Sequence, residues 1–203
     1  MAGLEAGSGF FGRIARKLRG QGASSIAPVE LTPLSLLEQA RHGWPDYCLY
    51  LRPIAGPTGS IEDQMRRAIH PLPVLTLEES GPSALLPDES LLELANAARL
   101  LWLVPTDKER VFARLRLIKQ QGPIERCIFL MPEQGTLGTV DWPQTWTAAR
   151  DRAAEIGIEL SAYTAGGWLF RLAQDGKAST FRPIVNPNPE KIARAIEGIC
   201  QEM

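Results

Sequence analysis

Histidine and cysteine are scarce in this chain, and their scarcity excludes several kinds of site. The histidines are His42 and His70, too few for a multi-histidine metal centre or for most catalytic triads. The cysteines, Cys48, Cys127 and Cys200, lie far apart and lack the CxxC or Cys/His spacing of a metal site. We therefore expect buried free thiols, a reducing environment and no bound metal.

The chain also lacks a large net charge of either sign and long apolar runs. Lys and Arg number 22 against 23 Asp and Glu, so no overall field attracts the chain to nucleic acid, and we expect no nucleic-acid partner. No stretch reaches the ~18 to 20 consecutive apolar residues of a membrane span, and the first residues lack the apolar core of a secretory signal. These absences predict a cytoplasmic protein.

Residues 10–19 have the pattern of a short basic amphipathic helix, which we call the arm. Its apolar face consists of Phe10, Phe11, Ile14 and Leu18. Its basic residues are Arg13, Arg16, Lys17 and Arg19. Such a segment can bind an anionic membrane surface or a partner. It can equally dock on its own domain or stay unordered at a terminus. Residues 20–33 are rich in Gly, Ser, Ala and Pro, so we divide the chain into an arm, linker and short helix over 1–43 and a domain over 44–203.

In the domain, apolar runs alternate with segments of helical period, which predicts an α/β fold. We expect a mainly parallel central sheet of about five strands with helices on both faces, a three-layer sandwich. The five predicted strands are Cys48–Ile54, Pro73–Leu77, Arg99–Pro105, Arg126–Pro132 and Ile158–Thr164.

Two further runs predict an antiparallel hairpin at the edge of the sheet. They are Trp168–Ala173 and Lys177–Ile184, and they flank Asp175 and Gly176, a dipeptide typical of a type I′ turn. Asn188 and Pro189 then begin a closing helix.

Ligands of parallel sheets bind beyond the carboxyl ends of the strands, which directs attention to the loop after the first strand. Gly56 and Gly59 precede a helix that begins near Ser60, and Arg52 lies at the side. The free N–H groups of that helix could hold an anion such as phosphate. The loop lacks the signatures of a P-loop or a dinucleotide fold, so an ordinary turn is the alternative.

Several segments together resemble one family. They are CLYLRPI with a following helix, ARLLWLVP with a helix directly after it, RCIFLMP, and the hairpin GGWLFRLAQDGK. These segments look like those of bacterial TIR-like domains, which are flavodoxin-like α/β domains. The resemblance spans residues 47–197 and consists mainly of the texture and order of the strands.

The resemblance implies a place for a catalytic residue. In TIR-type enzymes a glutamate on the helix after the third long strand serves in cleaving the nicotinamide glycosidic bond of NAD. Here the matching position holds Arg114, and Ala113 replaces the usual aromatic residue. Glu109 is the remaining candidate, although an acidic residue in the first turn is also explained by the helix dipole. Arg110 and Arg114 are predicted to lie on an exposed basic side of this helix, where an anionic partner could bind.

Two functions follow as hypotheses. The first is a non-catalytic TIR-like protein-interaction or signalling module without a cofactor, which binds a protein partner or a second copy of itself and whose arm could attach it to a membrane. The second is an enzyme that cleaves NAD or processes another nucleotide, using Glu109 or an anion site formed by Arg52, Gly56, Gly59 and Ser60.

Overall fold

The computed structural model describes residues 34, 37–38, 41–42, 46–53, 60–78, 86–135 and 140–201. Six strands form one sheet: Cys48–Leu51 (β1), Val74–Leu77 (β2), Leu100–Leu103 (β3), Cys127–Met131 (β4), Trp168–Leu172 (β5) and Ala178–Pro183 (β6). The helices are Ser60–Ala68 (α1), Asp88–Ala97 (α2), Glu109–Gln121 (α3), Trp142–Glu155 (α4) and Pro189–Gln201 (α5). The predicted α/β fold class is confirmed.

Helices cover both faces of the sheet, so the central strands are buried throughout. Every residue of β1, β3 and β4 is buried, as expected of strands that read as continuous apolar runs. One apolar cluster joins the sheet to α2, α3 and α4, and a second joins the opposite face to α1 and α5. The molecule therefore has the three layers that the sequence predicts.

The strand order is β2-β1-β3-β4-β5-β6. The first four strands run parallel, with Tyr50 of β1 opposite Trp102 of β3. Strand β5 is antiparallel to β4, and β6 is antiparallel to β5. Because the chain goes from β1 outward to β2 and then back past β1 to β3, the direction of winding reverses between β1 and β3. That reversal marks the switch point at which parallel sheets usually bind ligands.

The fifth predicted parallel strand, Ile158–Thr164, is wrong. Among the described residues this segment makes a single isolated bridge, from Glu159 to Lys177, and β5 takes the place beside β4. Other bonds hold the segment instead: Trp146 Nε1 donates to Ser161 O at 2.9 Å, and Tyr163 Oη donates to Pro132 O at 3.0 Å. It packs on the sheet without extending it.

The predicted edge hairpin is present, but its turn is not of type I′. A type I′ turn needs positive φ at both central residues. Gly176 has φ +91°, whereas Asp175 does not have a positive φ. Gly176 N donates to Ala173 O at 2.9 Å and Ala173 N donates to Lys177 O at 2.8 Å, which fits a tight turn closed by a left-handed glycine.

The outer edge of β6 is partly blocked by its own residues. Ile184 N donates to Gly167 O at 3.2 Å, so by alternation the backbone groups of Phe181 point away from β5. Arg182 Nη1 donates to the Phe181 carbonyl oxygen at 3.1 Å. Pro183 has no N–H to offer another strand. These features oppose strand addition at this edge.

Candidate functional site

A partly buried group of charged side chains lies at the carboxyl end of β1, beside the switch point. Arg52 directly follows β1 and is 7% exposed. Its Nε atom lies 3.3 Å from Glu62 Oε1, and its Nη1 atom lies 2.9 Å from Glu78 Oε1. Glu62 belongs to the first turn of α1 and Glu78 directly follows β2, so the group joins three successive elements. We call Arg52, Glu62 and Glu78 the switch-point cluster.

Tyr50 completes the contacts of the buried carboxylate. Its phenol donates a hydrogen bond to Glu62 Oε1, the same oxygen that faces Arg52. Burial, and then the negative charge of Glu62, raise the pKa of Tyr50 well above its ordinary value, which keeps the phenol protonated as a donor. The second oxygen, Glu62 Oε2, is buried and has no hydrogen-bond donor among the described residues. Glu62 thus brings a buried carboxylate to the carboxyl end of the strands, where parallel sheets usually bind ligands.

Arg114 is not on an exposed side of its helix, and that prediction is wrong. The residue is 7% exposed, and its Nη1 and Nη2 atoms donate to Leu77 O at 3.2 Å and Glu78 O at 3.3 Å. The carbonyl groups at the end of a strand need donors when they are buried, and the guanidinium of Arg114 supplies them. Arg114 therefore binds backbone next to the switch-point cluster. Arg110, by contrast, is exposed in the first turn of α3.

Glu109 lies on the outside of the molecule. Its side chain is 77% exposed, and its Oε2 atom lies 2.6 Å from Arg152 Nη2 on α4. The hydrogen bond from Arg152, and then its charge, lower the pKa of Glu109, so this carboxylate is ionised and paired. Glu109 contacts α4, whereas Arg52 and Arg114 contact the ends of β1 and β2. The structure does not place Glu109 with either of those arginines.

The other predicted site residues lie at or beyond the limits of the described chain. Ser60 is the first residue of α1, but Gly56 and Gly59 lie outside the described residues, as does the whole arm. The anion site therefore stays a prediction. Arg52, its proposed cation, faces two carboxylates, Glu62 and Glu78.

Two findings concern metals and membranes. Within the ranges given above, no group of three or more His, Cys, Asp or Glu residues is arranged to hold a metal ion. The same ranges contain no helix both long and apolar enough to cross a bilayer.

Cys48 and Cys127 are buried free thiols, and burial raises the pKa of each.

Sequence reasoning missed Glu62, Glu78 and the role of Tyr50. A signal for them was present, because Tyr50 and Arg52 are two residues apart and so face the same side of the sheet. Glu62 stands in the first turn of the next helix, which crosses that side. A polar pair on one face of an otherwise apolar strand indicates a buried partner on the covering helix.

The chain has no match among protein-family models, curated proteins or solved structures. The TIR-like resemblance thus rests on the sequence segments alone.

Proposed function

We propose that this chain is a non-catalytic TIR-like interaction and signalling module that binds a protein partner or a second copy of itself. In this proposal the arm attaches the module to anionic membrane surfaces. The module needs no cofactor. The proposal implies a cytoplasmic location in a bacterial cell.

One observation carries the proposal: the side chain at the position of the TIR-type glutamate is used to hold the fold. Arg114 is buried, and its guanidinium donates to two backbone carbonyl groups at the end of β2. A cation in that place cannot stabilise the positive charge that develops when a glycosidic bond breaks. Glu109, the nearest carboxylate earlier on the same helix, is exposed and bound to Arg152. No carboxylate of α3 is thus available beside Arg52.

The catalytic part of the proposal is tested by incubating the purified full chain with NAD and measuring released nicotinamide. We expect release no faster than in buffer. Turnover that Glu109→Gln abolishes would overturn the proposal. Glu155→Gln is the matched control, since Glu155 is another exposed carboxylate, at the end of α4.

The interaction part is tested by sedimentation over a range of protein and salt concentrations. Arg110 and Arg116 are exposed cations on α3, so we expect a complex that weakens with salt and with Arg110→Glu/Arg116→Glu. Arg67→Glu/Arg194→Glu, on exposed positions of α1 and α5, is the matched control. Equal sedimentation of both variants and the wild type at every concentration would remove this surface from the proposal.

The membrane part is tested by flotation of the full chain with vesicles of phosphatidylserine and phosphatidylcholine. We expect binding that rises with the fraction of phosphatidylserine and falls for Arg13→Glu/Arg16→Glu, because each basic residue near an anionic surface contributes about 1 kcal/mol. The Arg67→Glu/Arg194→Glu variant should bind like the wild type. Equal binding of the wild type and of Arg13→Glu/Arg16→Glu would exclude the arm as the segment that attaches to the membrane.

A second candidate function, NAD cleavage or other nucleotide processing, is favoured by one observation. Glu62 is a buried carboxylate beside the switch point, and one of its oxygens has no hydrogen-bond donor in the described part of the chain. Under this candidate NAD or another nucleotide is the ligand and Glu62, rather than Glu109, is the acidic group. Nicotinamide release that Glu62→Gln removes, in a variant that thermal unfolding shows to be folded, would favour it over the non-catalytic module.

A further inference from the structure

The outer side of α2 is acidic. Asp88 and Glu89 form its first turn and Glu93 follows one turn later, and all three side chains are exposed. Leu91, Leu94 and Ala95 form the buried side of the helix. The helix contains no basic residue to offset these charges. We call Asp88, Glu89 and Glu93 the acidic α2 surface.

The chain enters the domain next to this surface. Leu37 is helical and buried in the same apolar cluster as Leu91 and Leu94, and Arg41 Nη2 lies 3.2 Å from Glu93 Oε2. Leu34, the first described residue, is 73% exposed. It lies seven residues before Arg41 in the sequence. The described chain therefore reaches α2 at Arg41, shortly after an exposed apolar side chain.

The arm is chemically complementary to this part of the surface. Residues 10–19 contain four basic and four large apolar side chains and no acidic one. The linker, residues 20–33, spans up to ~50 Å when fully extended, so its length does not limit contact with α2. Tethering also gives the arm an effective concentration on the order of millimolar near its own domain, which makes even a weak contact significant.

We infer that the arm docks on the acidic α2 surface of its own chain, with its basic side chains on Asp88 and Glu89 and its apolar face against Leu34. The same arginines and lysine would contact an anionic membrane, so the two contacts exclude each other. The arm is then docked while the module is not attached to a membrane, and this autoinhibitory contact opposes membrane binding. Only this competition rests on the proposed function, because the docking itself needs no membrane.

Docking is tested on the full chain without vesicles, from the rate at which chymotrypsin cleaves after Phe10 and Phe11. Asp88→Lys/Glu89→Lys should raise that rate about fivefold, because exposed ion pairs of modest strength are replaced by repulsion. In a chain with the reversed arm, Arg13→Glu/Arg16→Glu, the same α2 change should lower the rate by a similar factor. Each comparison is made between chains with identical arms, so the sequence preference of the protease cancels.

Two further variants guard the test. Asp151→Lys/Glu155→Lys places the same charges on exposed positions of α4 and should leave the rate unchanged. Asp88→Asn/Glu89→Gln removes the charges while keeping polar side chains at the start of the helix, and should raise the rate about threefold even if the lysine variant folds poorly. Rates that do not respond to either α2 variant, with either arm, would overturn the inference.

Vesicle flotation separates this inference from the proposed function. If docking competes with the membrane, Asp88→Asn/Glu89→Gln should bind phosphatidylserine vesicles about threefold better than the wild type. If no variant binds vesicles while the cleavage rates respond as expected, the docked arm is supported and the membrane role fails. If the wild type binds vesicles while the cleavage rates do not respond, the membrane role stands and the docked arm is overturned.

Discussion

Replacing Gly176 by alanine is expected to destabilise the domain strongly, because Gly176 meets two constraints at once. Its φ of +91° lies in the region that favours glycine. An added Cβ would lie 2.1 Å from Gly157 O, which is a backbone atom that cannot rotate away. Gly176 O also accepts a hydrogen bond from Glu159 N at 3.0 Å, so a shift of the turn breaks the contact between the hairpin and the segment before it.

The expected cost is the sum of three contributions. The left-handed conformation costs alanine about 1 kcal/mol. Moving the turn away from Gly157 O costs about 1 to 3 kcal/mol, the range of overpacked sites. Loss of the bond from Glu159 N costs about 1 kcal/mol more. We therefore expect the free energy of unfolding to fall by about 3 to 5 kcal/mol, a large part of the stability of a typical domain.

Gly157→Ala is the matched control. Gly157 also has a positive φ, of +73°, but a Cβ there meets nothing within 4 Å. This variant should carry only the conformational cost, about 1 kcal/mol. Urea unfolding of both variants measures the difference, and hydrogen exchange of the Glu159 amide reports whether the turn has moved. Equal losses of stability in the two variants would refute the steric part of the reasoning.

Three other predictions concern buried groups. Arg52→Leu should lower the free energy of unfolding by about 3 kcal/mol, because it leaves the buried carboxylate of Glu62 without its cation, and Arg52→Leu/Glu62→Leu should lose less than the single variant; additive losses in urea unfolding would contradict this. Burial raises the pKa of Tyr47 from 10.0 to about 12 and that of Cys48 from 9.0 to about 12. Since these groups then ionise first in the unfolded chain, they should leave the free energy of unfolding unaffected below pH 9 and lower it as the pH rises from 9 to 12. Unfolding curves measured at stepped pH test this expectation. A thiol reagent at pH 8 should label Cys200, which is only partly buried, well before Cys48, and mass spectrometry that finds equal labelling rates in the native protein would disprove the burial of Cys48.

The fold was largely predictable because its central strands are continuous apolar runs. The fifth predicted strand failed for a non-local reason. Ile158–Thr164 alternates apolar and polar residues as a half-buried strand does, but β5, which is almost continuously apolar, follows only a few residues later. One place beside β4 was open, and Leu169 and Phe170 fill it in antiparallel register. Local patterns do not decide between two candidate neighbours.

The candidate site was less predictable because charge and periodicity gave opposite indications. Arg114 stands three residues after Val111 and four before Ile118, so helical period places it on the buried stripe of α3. Its charge favoured the exposed side instead. The buried carbonyl groups of Leu77 and Glu78 decide the matter, and these come from a distant part of the chain. A sequence does not announce which backbone groups will need a donor.

The blocked edge of β6 bears on how this molecule can assemble. With Phe181 O already bound to Arg182 and no N–H on Pro183, the sheet of one copy offers fewer backbone groups on this side for a strand of another. Assemblies that grow by joining sheets are held by backbone pairs, which are indifferent to side-chain charge and slow to separate. Copies that meet on the β6 side are favoured to meet through side chains, and such an association should be reversible and readily adjusted by ionic strength.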